Sequence, residues 1–86
     1  MSGSAPVDGV RRVVLVGKPD CHLCEQAEKV VDKVCADLGV EWESKSILDD
    51  PELADEFWEL IPVVLVDDEE FCHWRVDPQA LAQELA

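Results

Sequence analysis

A chain of 86 residues with a net charge of −13, from 20 acidic and 7 basic side chains, repels nucleic acid and anionic membrane surfaces, so neither is expected as a partner. Its hydrophobic fraction of 48% excludes a purely disordered acidic chain and suits one small domain that buries about 60–65% of its unfolded surface. Four unevenly spaced cysteines are too few for a secreted disulfide scaffold.

Residues 1–10 read as a disordered N-terminal tail, and residues 11–86 as the folded domain. Met1 to Gly9 are small and polar, without the apolar centre of a targeting segment. No apolar run approaches the roughly 20 residues that span a bilayer. A cytoplasmic location is expected, where thiols stay reduced unless they are catalytic.

Val13-Val14-Leu15-Val16 is apolar on both faces, as in a central strand covered by helices on each side. Gly17 and Pro19 end it. A helix is predicted from about Cys21 to Leu38. Its apolar positions Leu23, Ala27, Val30, Val31, Val34 and Leu38 recur with helical period, and Gly39 supplies the stop. Val40–Ile47 alternates, with Val40, Trp42 and Ser44 opposed to Glu41, Glu43 and Lys45. That is a half-exposed edge strand guarded by charge. Asp50-Pro51 is an N-cap followed by proline at the first helical position, opening a short helix to about Leu60. Ile61–Val66 is a second apolar strand with proline near its start. Asp67–Glu70 is a turn, and Glu70–Val76 completes a hairpin. Asp77-Pro78 repeats the cap signal for a last helix that buries Leu81, Ala82 and Leu85. The order is β-α-β-α-β-β-α.

The chemistry concentrates in Gly17-Lys18-Pro19-Asp20-Cys21-His22-Leu23-Cys24, where a strand turns into a helix. A two-residue gap at a helix start brings the two thiols within disulfide reach. The first cysteine faces the free N–H groups of the helix end, which stabilise a thiolate. Cys21 is therefore the expected nucleophile and Cys24 the resolving thiol. Lys18 and protonated His22 favour the Cys21 thiolate, and Asp20 disfavours it. The net expectation is a Cys21 pKa below the free value of about 8.5. Two other readings stay open at this point: an inert pair, or a metal-binding module, either zinc with Cys35 or Cys72-His73 as further ligands or an iron–sulfur or zinc carrier that uses Cys21 from each chain of a dimer. Cys35 is expected in or beside the core, and Cys72 as an ordinary strand residue.

With Ile61-Pro62 opening its second apolar strand, the sequence resembles small bacterial glutaredoxin-like proteins with a Cys-His-Leu-Cys site, members of the thioredoxin-fold superfamily. Asp50-Pro51-Glu52-Leu53 belongs to the same likeness, which runs from about Val13 to the C-terminus. It implies an α/β minimal thioredoxin fold: a four-stranded mixed sheet flanked by helices. It also implies a thiol–disulfide oxidoreductase with Cys21 and Cys24 as its catalytic dithiol. Pro62 would be a cis-proline beside that dithiol. Ile61 would offer its backbone to an extended substrate, and Lys18 could hold a carboxylate. Lys18, His22, Ile61 and Pro62 are thus the implied substrate-binding residues. A redox-inactive adaptor on the same fold is the remaining alternative. Glutathione-binding relatives carry a Gly-Gly pair after the hairpin, where this chain has Phe71-Cys72-His73-Trp74-Arg75. A conventional glutathione site is therefore not expected. No resident cofactor is implied, and the reductant is left open between glutathione and another low-molecular-weight thiol. The expected partner is a disulfide-containing protein or a low-molecular-weight disulfide, met by a monomer.

Overall fold

The two apolar runs form the centre of the sheet. The computed structural model describes residues 12–86, and the expected tail over residues 1–10 lies outside the described residues. Strand β1 (Val13–Gly17) and strand β3 (Val63–Val66) pair antiparallel at the middle. Strand β2 (Trp42–Ser46) joins β1 in parallel, and strand β4 (Glu69–His73) joins β3 antiparallel. The spatial order is β2-β1-β3-β4. Helix α1 (His22–Leu38), helix α2 (Pro51–Phe57) and helix α3 (Pro78–Leu85) complete the β-α-β-α-β-β-α sequence. This is the thioredoxin-like α/β fold, with a four-stranded mixed sheet.

The period-2 pleat divides the core. Val13, Leu15, Val64 and Val66 point to one face, where they meet Ala27, Val31, Val34 and Cys35 of α1 and Leu81 and Leu85 of α3. Val14, Val16 and Val63 point to the other face and meet Phe57 of α2. All of β1 is buried, as its unbroken apolar run requires.

Both proline-started helices are capped as expected. Asp50 Oδ1 accepts the Glu52 N–H at 3.0 Å, and Asp77 Oδ1 accepts the Gln79 N–H at 2.9 Å. Gly39 closes α1 in the left-handed region, φ 70°, which glycine enters without a Cβ penalty.

The structure moves several expected boundaries. Strand β2 is shorter than Val40–Ile47, and Ser44 is exposed together with Glu43 and Lys45, because a groove opens over Ser44 and Ser46. Helix α2 stops at Phe57 rather than Leu60. The hairpin turn is only Asp67-Asp68. Both are left-handed, φ 54° and 69°, the geometry of a type I′ loop, so Glu69 already pairs with Val66. Strand β4 ends at His73 instead of Val76, because Trp74 turns the chain with φ 65°. Leu23 and Leu38 were expected on the buried face of α1 but are 43% and 41% exposed. Each lies near an end of the helix, where the sheet no longer covers it. Among the described residues no helix is long and apolar enough to cross a membrane.

Candidate active site

Strand β1 delivers the chain to the site. Its last residue, Gly17, has a steric reason to be glycine: a Cβ there would stand 3.0 Å from Cys24 Sγ and 3.2 Å from Cys24 Cβ. Beyond it, Asp20 sits in the left-handed region at φ 59°, a conformation that Asp and Asn tolerate better than most residues. That reversal sets Cys21 as the N-cap of α1, with extended φ −109° and ψ 111°.

Cys21 engages the helix end in two ways. Its carbonyl accepts the Glu25 N–H at 3.0 Å, and its Sγ accepts the Cys24 N–H at 3.2 Å. The sulfur thus takes the place of a Ser or Asp cap oxygen. Cys21 and Cys24 form a disulfide, with their Cα atoms 5.1 Å apart, inside the usual range. Cys21 is half-buried, whereas Cys24 is only 7% exposed and rests against Gly17. An incoming molecule therefore meets Cys21 first.

The other expected site residues divide. Lys18 and Cys24 line one groove of about 320 Å³ between the β1 end, β2 and α1, shared with Glu25, Glu28 and Lys45. Lys18 is exposed and makes no ion pair among the described residues. His22 is exposed, and its Nε2 accepts from Gln26 Nε2 at 3.1 Å, one turn along α1. The Ile61–Pro62 peptide is cis, and Pro62 is buried. Val16 pairs with Val63 in the antiparallel register. Pro62 directly precedes Val63, so it lies toward the end of the sheet where β1 runs into Gly17 and the dithiol loop. The Ile61 N–H is committed to the Phe57 carbonyl at 3.1 Å.

Two residues of the site carried no clear mark in the sequence. Gly17 shows in the sequence only as a strand end. Trp74 stood among the bulky replacements for a glycine pair, yet it stitches the proline loop to the end of β4. Its backbone N–H donates to the Pro62 carbonyl at 2.8 Å and, more weakly, to the Leu60 carbonyl at 3.4 Å. Its indole Nε1 donates to the Glu59 carbonyl at 3.0 Å. The preceding His73 meets the indole edge-on, ring centroids 4.8 Å apart, and donates from Nδ1 to Glu70 Oε2 at 2.7 Å.

The remaining thiols lie elsewhere. Cys35 is fully buried in the α1 face of the core. Burial, and then the Asp32 charge, push its pKa up. Cys72 on β4 is half-buried, and burial followed by the Glu70 charge pushes its pKa up against a lowering backbone hydrogen bond. Both shifts favour the neutral, unreactive thiol. Among the described residues no cluster of three or more His, Cys, Asp or Glu side chains is placed to hold a metal ion.

The family model described as "Glutaredoxin-like domain (DUF836)" matches residues 12–86. No curated protein matches the chain. A Nitrosomonas europaea protein solved by solution NMR superposes with a TM-score of 0.78 at 25% identity, covering 95% of this chain and 98% of the other. An X. campestris protein solved by X-ray diffraction gives 0.70 at 28% identity, over 85% and 93%. The oxidized form of mitochondrial thioredoxin 3 from Saccharomyces cerevisiae gives 0.66 at 16% identity, over 87% and 76%, a likeness of fold alone.

Proposed function

Given that the chain belongs to the glutaredoxin-like domain family, we propose that it is a thiol–disulfide oxidoreductase with Cys21 as nucleophile and Cys24 as resolving thiol. The observation that carries this reading is the Cys21 sulfur acting as the N-cap of α1, accepting the Cys24 N–H at 3.2 Å while paired with Cys24. A sulfur so placed keeps a hydrogen-bond donor, and the positive end of the helix dipole, when it becomes a thiolate.

In the reduced protein the Cys21 thiolate attacks one sulfur of a substrate disulfide. A Cys21–substrate disulfide forms, and the other substrate sulfur leaves as a thiolate and takes up a proton. Cys24 then loses its proton and attacks Cys21 Sγ. The mixed disulfide breaks, the second substrate thiol leaves, and the Cys21–Cys24 disulfide remains. Two electrons and two protons have passed to the substrate. The shielding of Cys24 fits the second step, because its thiol reaches Cys21 before it reaches solvent.

To Pro62, which directly precedes Val16's partner Val63, and to the Ile61 carbonyl we assign the approach to Cys21. The Ile61 N–H already serves Phe57, so only the carbonyl of that residue remains for an extended substrate. Lys18, with no ion pair of its own, offers a cation to a substrate carboxylate in the groove beside Cys24. His22, exposed beside Cys21 and engaged with Gln26, is assigned to the same approach. The substrate is a protein disulfide or a low-molecular-weight disulfide, and a low-molecular-weight thiol or a reductase restores the dithiol. This chemistry suits a reducing compartment such as the cytoplasm.

The test is the Cys24→Ser variant, which stalls the reaction at its first product. Mixed disulfide located at Cys21 by peptide mapping is the expected result. Mixed disulfide distributed over Cys35 and Cys72, with none at Cys21, overturns the assignment.

A further inference from the structure

Among the described residues, the sheet ends in a strand that is paired on one side only. Strand β2 is the edge of the order β2-β1-β3-β4, and Glu43, Ser44 and Lys45 at its middle are exposed. Such an edge presents a row of N–H and C=O groups to any extended chain. One bond sets its phase: the Ile47 N–H donates to the Gly17 carbonyl at 2.9 Å. Backbone groups alternate along a strand, so those of Glu43 and Lys45 also turn inward to β1, and those of Trp42, Ser44 and Ser46 turn outward. The Ser46 carbonyl accepts the Asp49 N–H at 3.1 Å and keeps a second lone pair.

Glu43 and Lys45 share one face of the strand, with their charged atoms 3.8 Å apart. Arg12 lies 3.6 Å from the same Glu43 carboxylate, which can accept from more than one cation. Lys45 is the only lysine or arginine between Lys33 and Arg75 in a chain of net charge −13. An anion and a cation two residues apart on an open edge are self-complementary. When two copies of β2 run antiparallel about a two-fold axis at Ser44, each Glu43 stands opposite the partner's Lys45. The outward groups of Ser44 then meet each other, and those of Trp42 meet the partner's Ser46. Glu43 and the partner's Lys45 fall at the pair without hydrogen bonds, where Cα atoms are about 4.5 Å apart and side chains lie closest. A slip of one residue sets outward groups against inward ones. A slip of two sets Glu43 against the partner's Glu43, or Lys45 against the partner's Lys45. The register centred on Ser44 pairs all five residues of β2 and opposes no like charges.

We infer that β2 is a homodimer seam: two copies pair these edges antiparallel about Ser44 and continue one sheet across both, in place of the expected monomer. The contact is isologous and closes at two. The overall −13 opposes a second copy, so the association is weak. The local match of Glu43 with Lys45 selects this partner over other extended chains. Ser44, Lys45 and Ser46 also wall the groove that holds Lys18 and Cys24, so the partner borders that groove. None of this depends on the oxidoreductase reading.

The test is sedimentation equilibrium of the full chain up to millimolar concentration, under reducing conditions so that no disulfide links two copies. A reversible monomer–dimer equilibrium is expected. Glu43→Lys leaves two cations on this face and Lys45→Glu leaves two anions. Each variant alone opposes like charges and should self-associate about tenfold more weakly, since two cross-strand pairs are reversed. Mixed in equal amounts, cations face anions, and the two variants should associate with each other at least as tightly as the unmodified chain. Glu43→Lys combined with Lys45→Glu in one chain should keep the dimer, which a misfolded variant would not. The Ser44 and Ser46 amides should exchange more slowly as concentration rises. A chain that stays monomeric throughout overturns the inference, as does a dimer indifferent to both reversals. So does failure of both the mixture and the combined variant to associate. Ser44 and Ser46 amides already protected in a monomer would overturn it too, and would give the edge to a segment of the same chain.

Discussion

A Cβ at Gly17 would lie 3.0 Å from Cys24 Sγ and 3.2 Å from Cys24 Cβ, so the resolving cysteine would have to yield by a few tenths of an ångström. The strand end and the first turn of α1 are locked at this point. Gly17→Ala is expected to press Cys24 out of place, at a cost of about 1–3 kcal/mol, as for other overpacked sites. Chemical denaturation of the oxidised protein checks this. A change below about 0.5 kcal/mol, the scale of an ordinary surface substitution, would mean that the contact is readily relieved.

Trp74 fixes the proline loop through its indole as well as its backbone. Trp74→Phe keeps the backbone bonds and an aromatic ring but removes the 3.0 Å bond to the Glu59 carbonyl. A loss of about 1 kcal/mol is expected, the typical net worth of one hydrogen bond. The Leu60 and Ile61 amides should also exchange faster with solvent than in the unmodified chain. Unchanged exchange at both would show that the backbone bonds alone hold the loop.

The two remaining thiols carry a pH dependence of definite sign. Cys35 and Cys72 have pKa values raised, chiefly by burial, while in the unfolded chain they ionise at the ordinary thiol value. Their contribution to stability is therefore complete below that value and is lost as pH rises through it toward the folded values. In the reduced native protein at about pH 8, iodoacetamide should modify Cys21 well before Cys35 or Cys72. Equal rates by mass spectrometry would contradict the shifts.

Asp77 starts α3 by accepting two N–H groups, from Gln79 at 2.9 Å and Ala80 at 3.4 Å. Asp77→Ala should cost about 1 kcal/mol. Because Leu81 and Leu85 of this helix are buried against the α1 face of the core, the loss should appear in global unfolding and not as local fraying. A melting curve superposable on that of the unmodified chain would contradict it.

Local patterns were enough to read the element order. The apolar run Val13–Val16 marked a doubly covered strand, and Asp50-Pro51 and Asp77-Pro78 marked helix starts, because cap chemistry acts over three or four residues. The strand ends were not legible, since pairing across the sheet decides them. Glu69 became a strand residue through Val66, and β4 stopped where Trp74 took up a bond to Pro62. Leu23 fits the helical period but lies beyond the sheet's cover. In the site, Cys21 and Cys24 announced themselves by spacing and Pro62 by family likeness. Gly17 and Trp74 act through neighbours that are distant or unpatterned in sequence, so nothing local marked them.

The central claim is dithiol exchange at Cys21 and Cys24. Its most direct measurement mixes the fully reduced protein with an equimolar small disulfide and maps the cysteines by mass spectrometry after acid quenching. The account predicts that the small disulfide is reduced while a Cys21–Cys24 disulfide forms, with Cys35 and Cys72 still free, and that Cys21→Ser abolishes both. Reduction of the disulfide at an undiminished rate by Cys21→Ser would contradict it.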